Sequence, residues 1–429
     1  MTTLSLDPRW SRRGFLGAAG ALSAASFLPR TARAAGAGKR LVLVRAFGGW
    51  DTTFCMDPRL TVPGVIDGPD RVSSDEEIAS YGGLPIMASS LRPTMDAFFS
   101  NFAAETIVVN GISVGSIVHE ANQQRISTGS RLDTAADLAC LSAVDLGGTE
   151  TLPYLDLTGG GRVGPYAASA GALGRNNQIL ALLDRELPVP APDGSTFPRY
   201  TPSGSQAAAI DAYLDQQRAR FAERVGGRAG LERFSNLTAA AERRQALKES
   251  TILTDSLDFG TSGSVSEQAE LAAALMAMDF CHSASIDTGV SWDTHDDLSQ
   301  QHGLYENLFE GLITLVTELK ANGIWDETLV VVLSEMTRTP RMNADGGKDH
   351  WPNTSALLLG GGLEGGRVLG GSSADSLDAL PVDLEDGSLN PSSDRLITYG
   401  RFAAGVLHAA GVDVDGMLPG EEVLHGIVD

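Results

Sequence analysis

Five consecutive apolar residues, Leu329-Val330-Val331-Val332-Leu333, constrain this chain more than any other feature. A strand with one wet face alternates apolar and polar residues, whereas a strand covered on both faces does not. This run is therefore expected in the middle of a sheet with helices above and below. The preceding segment supports that: Leu304, Leu308, Leu312, Leu315 and Leu319 trace one helical face, and Gly323 ends it. Other strands are read at 40–45, 106–109 (closed by Asn110-Gly111), 153–157, 286–290 and 355–359, with a largely helical stretch over 116–145. Strand and helix in alternation predict an α/β sandwich, with a mainly parallel central sheet and helices on both faces.

Residues 158–265 break this rhythm. Glycines 159–161 and prolines 188, 190, 192, 198 and 202 mark loops, and a charged helical stretch covers about 206–250. The segment is expected to be an irregular insertion or cap. No repeat of solenoid length is present.

The first 34 residues are read as a twin-arginine signal peptide. Ser11-Arg12-Arg13-Gly14-Phe15-Leu16 is followed by a weakly apolar, Ala/Gly-rich run and by Ala32-Arg33-Ala34, a small-x-small cleavage site. That run of about 12 residues is too short to span a bilayer, which takes roughly 20, and no later segment is long enough. The remaining chain, 35–429, is expected to fold as one domain with its insertion, in the periplasm or outside the cell. Twin-arginine export moves folded proteins, so a metal site could be loaded before export.

Formal net charge is −22. Residues 1–34 carry five Arg against one Asp, so the rest stands near −26. Such a surface repels nucleic acid and anionic membranes, which excludes both as partners. Cys55, Cys140 and Cys281 form no disulfide framework and no CxxC zinc site, although one disulfide is possible.

Three runs after strands or near them concentrate carboxylates and imidazoles: Trp292-Asp293-Thr294-His295, Ser334-Glu335-Met336-Thr337-Arg338-Thr339-Pro340 and Lys348-Asp349-His350-Trp351-Pro352. A fourth, Gly48-Gly49-Trp50-Asp51, closes the first strand. Oxygen and nitrogen donors gathered at strand ends are how α/β sheets hold divalent metals. Asp51 could otherwise cap a turn, and Asp293 and His295 could cap the helix that follows. Glu335, just past a buried strand, needs a partner, either a metal or Arg338. Arg338 and Arg341 read equally as structural contacts and as clamps on a phosphate or sulfate oxygen. His350 has an orienting carboxylate, Asp349, beside it. His302 reads as surface or supporting, and His282, His408 and His425 as core or surface residues. The glycines of 360–371 match no phosphate-binding loop.

These motifs, in this order and with Gly360-Gly361-Gly362, resemble the domain of unknown function 1501 family, over about residues 40–425. That family is commonly exported by the twin-arginine route and is similar to the alkaline phosphatase and sulfatase superfamily. The resemblance implies an alkaline phosphatase-like fold and a divalent metal centre (Zn, Ca, Mg or Mn) of one or two ions. It implies Asp51, Asp293, His295, Glu335 and His350 as ligands, with Asp349 in the Asp-His pair. Met336 stands where the superfamily usually has His, which argues for one metal; with two, His119 or Asp349 replaces the missing imidazole. The superfamily's nucleophile precedes a Thr-Gly pair at a helix N-terminus. The matching position before Thr128-Gly129 is His119, with Ser116 and Glu120 nearby. His119 can serve as nucleophile, base or metal ligand. The implied activity is hydrolysis of a small anionic phosphate or sulfate ester by an exported metalloenzyme, with Arg338 steadying negative charge. The alternative is a non-catalytic exported scaffold that keeps the fold and binds an unknown exported partner.

Overall fold

The computed structural model describes residues 38–148, 150–172, 189–190, 196–197, 204–249 and 264–428. The expected signal peptide, 1–34, lies outside them. In chain order the strands that concern the site are β1 (Arg40–Arg45), β2 (Thr106–Ser113), β3 (Tyr154–Asp156), β4 (Ala170–Ala172), β5 (Ser283–Asp287), β6 (Thr328–Leu333), β7 (Thr337–Arg338), β8 (His350–Trp351), β9 (Asn353–Gly360) and β10 (Arg367–Gly370). The longer helices are α1 (Pro93–Phe102), α2 (His119–Thr128), α3 (Leu138–Leu146), α4 (Gly204–Arg224), α5 (Gly227–Glu249), α6 (Val265–Ala277), α7 (Gln300–Ala321) and α8 (Tyr399–Ala410).

Eight strands form one sheet in the order β10-β2-β9-β6-β1-β5-β3-β4. Every pairing in it is parallel except the two made by β9, which runs antiparallel to β6 and β2. The apolar run is β6, at the centre and fully buried. Its residues alternate between two cores: Val330 and Val332 face α6 and α7, while Leu329, Val331 and Leu333 face α3 and α8. Val42 and Val44 of β1 join the first core, and Leu41 and Leu43 the second. The fold is thus an α/β sandwich with a mainly parallel sheet and helices on both faces.

Three local expectations shift. Asn110-Gly111 does not end β2, which continues to Ser113. Gly111 takes φ +69° where the register against β9 slips, and a Cβ there would lie 2.1 Å from the Gly371 carbonyl oxygen. The glycine bends the strand instead of stopping it. The strand read at 286–290 is β5, ending at Asp287; Gly289 then turns the chain and leaves Val290 half exposed. Inside the span read as an insertion, β4 still pairs with β3 at the sheet's edge. The three cysteines are buried and free. Among the described residues no helix is long and apolar enough to cross a membrane.

Candidate metal centre

Loops leaving β1, β5 and β6 meet at one end of the sheet. A two-stranded ribbon of β7 and β8 sits over them, pairing Arg338 with His350 and Thr337 with Trp351. Packing of the first two loops is tight. Gly48 adopts φ +122°, and a Cβ on it would lie 2.3 Å from the Trp292 nitrogen, so only glycine fits there. Its own N–H donates to both oxygens of Glu335, at 2.9 and 3.0 Å. Trp50, Trp292 and Tyr305 then lock the loops through edge contacts, with ring centroids 6.2 Å apart for the first pair and 4.9 Å for the second.

Four of the candidate residues converge here: Asp293, His295, His350 and His119. The Nε2 atoms of His295 and His350 are 2.8 Å apart. Asp293 Oδ1 lies 3.1 Å from the former and 3.4 Å from the latter. His350 Nδ1 is 2.7 Å from the Ile117 carbonyl oxygen, and His295 Nδ1 is 3.1 Å from Asp349 Oδ1. A carbonyl only accepts, and hydrogen bonds from Asn343 and His295 hold the Asp349 carboxyl below its usual range, so it too accepts. Both Nδ1 atoms therefore donate, and both Nε2 atoms face the same point.

His119 approaches from the other side, opening α2. Its Nε2 is 3.5 Å from Asp293 Oδ2, and His119, Asp293 and His350 each bring a ligand atom within 4.8 Å of the others, a group that could hold a metal ion. His119 Nδ1 is 2.7 Å from Glu335 Oε1. That hydrogen bond, against the opposing effect of burial, raises the His119 pKa, with the charges of Glu335 and Asp293 adding to it. Burial pushes the Asp293 carboxyl up, but the Arg338 hydrogen bond and charge outweigh it and hold this acid below its usual range.

The remaining candidates stand elsewhere. Glu335 is fully buried and accepts from Gly48, Ser334, Gln123 and His119, so it braces an imidazole. Asp349 does the same for His295. Arg338, expected to face an anionic substrate, is fully buried and donates to the carbonyls of Gly48, Gly49, Trp292 and Lys348 and to Asp293 Oδ1. It joins the loops and fixes Asp293 and cannot clamp a substrate. Asp51 is also apart from the cluster. Its Oδ2 accepts from the Lys348 ammonium at 2.7 Å, both side chains fully buried, and its Oδ1 accepts from the Thr53 amide and hydroxyl. Met336 is buried with its Cγ against Gly49. Ser116 Oγ accepts from the Val118 amide.

Beside the cluster opens a cavity of about 480 Å³. His119 and Asp293 form one wall, with Arg45, Phe47, Gln123 and the 287–291 loop around it. Sequence reasoning missed this cavity and four supports: the Ile117 carbonyl, Gln123, Asn343 and Lys348. Only Lys348, adjacent to Asp349-His350, carried a signal.

The chain belongs to the family described as Protein of unknown function (DUF1501), whose pattern matches residues 38–389. No curated protein sequence matches it. Similar solved structures include Ps i-CgsB, at 11% identity and TM-score 0.39, covering 90% of this chain and 75% of that one. The lipoteichoic acid synthase LtaP from Listeria monocytogenes matches at 10% identity and TM-score 0.35, covering 92% and 76%. The phosphonate monoester hydrolase SpPMH from Silicibacter pomeroyi matches at 11% and 0.35, covering 91% and 76%. At these TM-scores the likenesses carry no activity across.

Proposed function

We propose that this chain is an exported hydrolase of phosphate or sulfate esters whose single metal is held by Asp293, His295 and His350. One observation carries the reading: two imidazole Nε2 atoms 2.8 Å apart, each turned to the same point by an acceptor on its other nitrogen. Two lone pairs at that distance repel unless a cation lies between them. A proton could serve the pair alone, but the placing of Asp293 Oδ1 3.1 and 3.4 Å from the same two nitrogens favours a metal. Ligand atoms around tetrahedral zinc, with bonds of about 2.0–2.1 Å, are about 3.3 Å apart. The spacing fits. Two nitrogens and one carboxylate oxygen also suit zinc better than Ca or Mg, which prefer all-oxygen shells.

The supports around these side chains match what such sites need. A carboxylate behind His295, a carbonyl behind His350 and a guanidinium on Asp293 fix tautomer and direction. When bound, the metal supplies Lewis-acid polarisation of an ester oxygen. The chain itself orients its three ligands, presents His119 to the cavity and shelters Glu335 from water. The Lys348 ammonium already neutralises Asp51, which supports one metal over two. The Arg12-Arg13 motif supports export of a chain that begins near Ala35.

The test is zinc-loaded protein assayed on aryl phosphates and aryl sulfates, with Asp293→Ala as control. Turnover lost together with zinc in the variant is the expected result. Neither zinc nor turnover in the wild type would favour the scaffold reading instead.

A further inference from the structure

The cavity of about 480 Å³ beside the cluster has a buried cation in its wall, Arg45, the last residue of β1. Among the described residues its guanidinium donates one hydrogen bond, from Nη1 to the Gly160 carbonyl oxygen at 2.9 Å. Nε is sealed from solvent and has no partner. Nη2 is not sealed, makes no hydrogen bond and stands 3.7 Å from Asp156 Oδ1, too far for one. That carboxylate is engaged elsewhere: Oδ1 accepts from the Thr158 amide and hydroxyl at 2.9 and 2.7 Å, and Oδ2 from the Gly161 amide at 2.9 Å. Asp137, the other acid that feels the Arg45 charge, accepts from the Cys140 and Arg162 amides and the Tyr154 hydroxyl, and burial pushes its carboxyl up. A buried guanidinium needs a hydrogen-bonded anion to offset its lost hydration, and neither acid supplies one.

The rest of the wall suits a small organic anion. Phe47 lines the cavity with its ring centroid 5.5 Å from Arg45 Cζ, an apolar face beside the cation. Asp287 lines it too, with Oδ1 turned onto the Gly289 amide. Asp293, a member of the metal cluster, lies on the same wall. We propose that Arg45 is the specificity-determining residue of this site, and that its substrates are esters whose alcohol half carries a carboxylate. The inference rests on the hydrolase reading above. The ester group lies at the metal centre while the carboxylate accepts from Arg45 Nη2, giving the guanidinium the anion that Asp156 and Asp137 withhold. Phe47 packs against the carbon frame between the two ends. The cavity falls within the range of about 300–1,000 Å³ typical of small-molecule sites, so a single ring fits as that frame.

The experiment uses the full zinc-loaded chain with phenyl, meta- and para-carboxyphenyl and para-carbamoylphenyl phosphates and sulfates, followed by steady-state kinetics. One carboxyphenyl isomer should exceed both the phenyl ester and the uncharged carbamoyl ester in kcat/KM by about 10–100-fold, mainly through KM, the range of one charge-assisted hydrogen bond. Arg45→Met should bring that ratio close to one, and Arg45→Lys, which keeps the charge, should retain part of it. If Arg45→Met does not fold, the wild-type comparison of carboxyl with carbamoyl decides. Calorimetric titration with para-carboxybenzylphosphonate and benzylphosphonate, which are not hydrolysed, reads the same preference in binding. Turnover without preference for the carboxylate, or a preference that survives Arg45→Met, would overturn the role of Arg45 while leaving the hydrolase standing. If the wild type hydrolyses no ester, the hydrolase reading falls. Tighter binding of the carboxylated phosphonate, lost in Arg45→Met, would then still support the carboxylate site, and equal binding of the two would overturn it.

Discussion

Lys348→Met isolates the buried ion pair that separates Asp51 from the metal centre. Lys348 Nζ and Asp51 Oδ2 are 2.7 Å apart, and neither side chain is exposed to solvent. Without the ammonium, Asp51 keeps the Thr53 amide and hydroxyl on Oδ1, but Oδ2 loses its partner and the carboxylate its counter-charge. Breaking a buried pair from one side costs about 3–5 kcal/mol, because it strands a charge where water cannot reach it. Removing both charges costs far less, so Asp51→Asn with Lys348→Met should return to within about 1–2 kcal/mol of the wild type. Urea unfolding measures both, with zinc content determined on the same samples. Zinc should stay at one per chain in both variants. A single-variant loss below about 1 kcal/mol would refute burial of the pair. Loss of zinc in either variant would refute its separation from the metal.

Other outcomes follow from the same geometry. Glu335→Gln keeps the shape behind His119 but removes the negative charge, and turnover should fall roughly 10–100-fold with zinc retained, as read by steady-state kinetics and metal analysis. Gly48→Ala places a Cβ 2.3 Å from the Trp292 nitrogen at φ +122°, so stability should drop by at least about 2 kcal/mol in urea unfolding. His302 is buried and accepts from Arg92 on Nδ1, and burial first, then the Arg92 charge, lowers its pKa to about 4. Its neutral form is the folded form, so its contribution is complete above the unfolded value of about 6.5 and is lost as pH falls toward 4. A loss on the order of 1–3 kcal/mol across that window should be absent in His302→Gln, as followed by unfolding at several pH values.

What could be read from the sequence divides along physical lines. The sheet was readable because strands covered on both faces have no polar residues to hide them, as in Leu329–Leu333. Gly111 misled because the same glycine signal that ends a strand also bends one. Histidine and carboxylate spacing located the site but could not rank its members. Glu335, Asp349 and Asp293 are all strand- or ribbon-end acids, and only their neighbours decide which points at a metal and which braces an imidazole. Arg338 read equally as a contact and as a clamp because four of its partners are backbone carbonyls, up to 290 residues away. A carbonyl such as that of Ile117 has no side chain to announce it. Asp51 and Lys348 find each other across 297 residues, a pairing that no local pattern encodes.

The central claim is one metal on Asp293, His295 and His350. Elemental analysis of the purified protein, after reconstitution with zinc and removal of excess, tests it most directly. One equivalent of zinc is expected in the wild type and in Asp51→Asn paired with Lys348→Met, and none in Asp293→Ala, His295→Ala or His350→Ala. Zinc absent from the wild type, or retained in full when His295 or His350 is removed, would contradict the account.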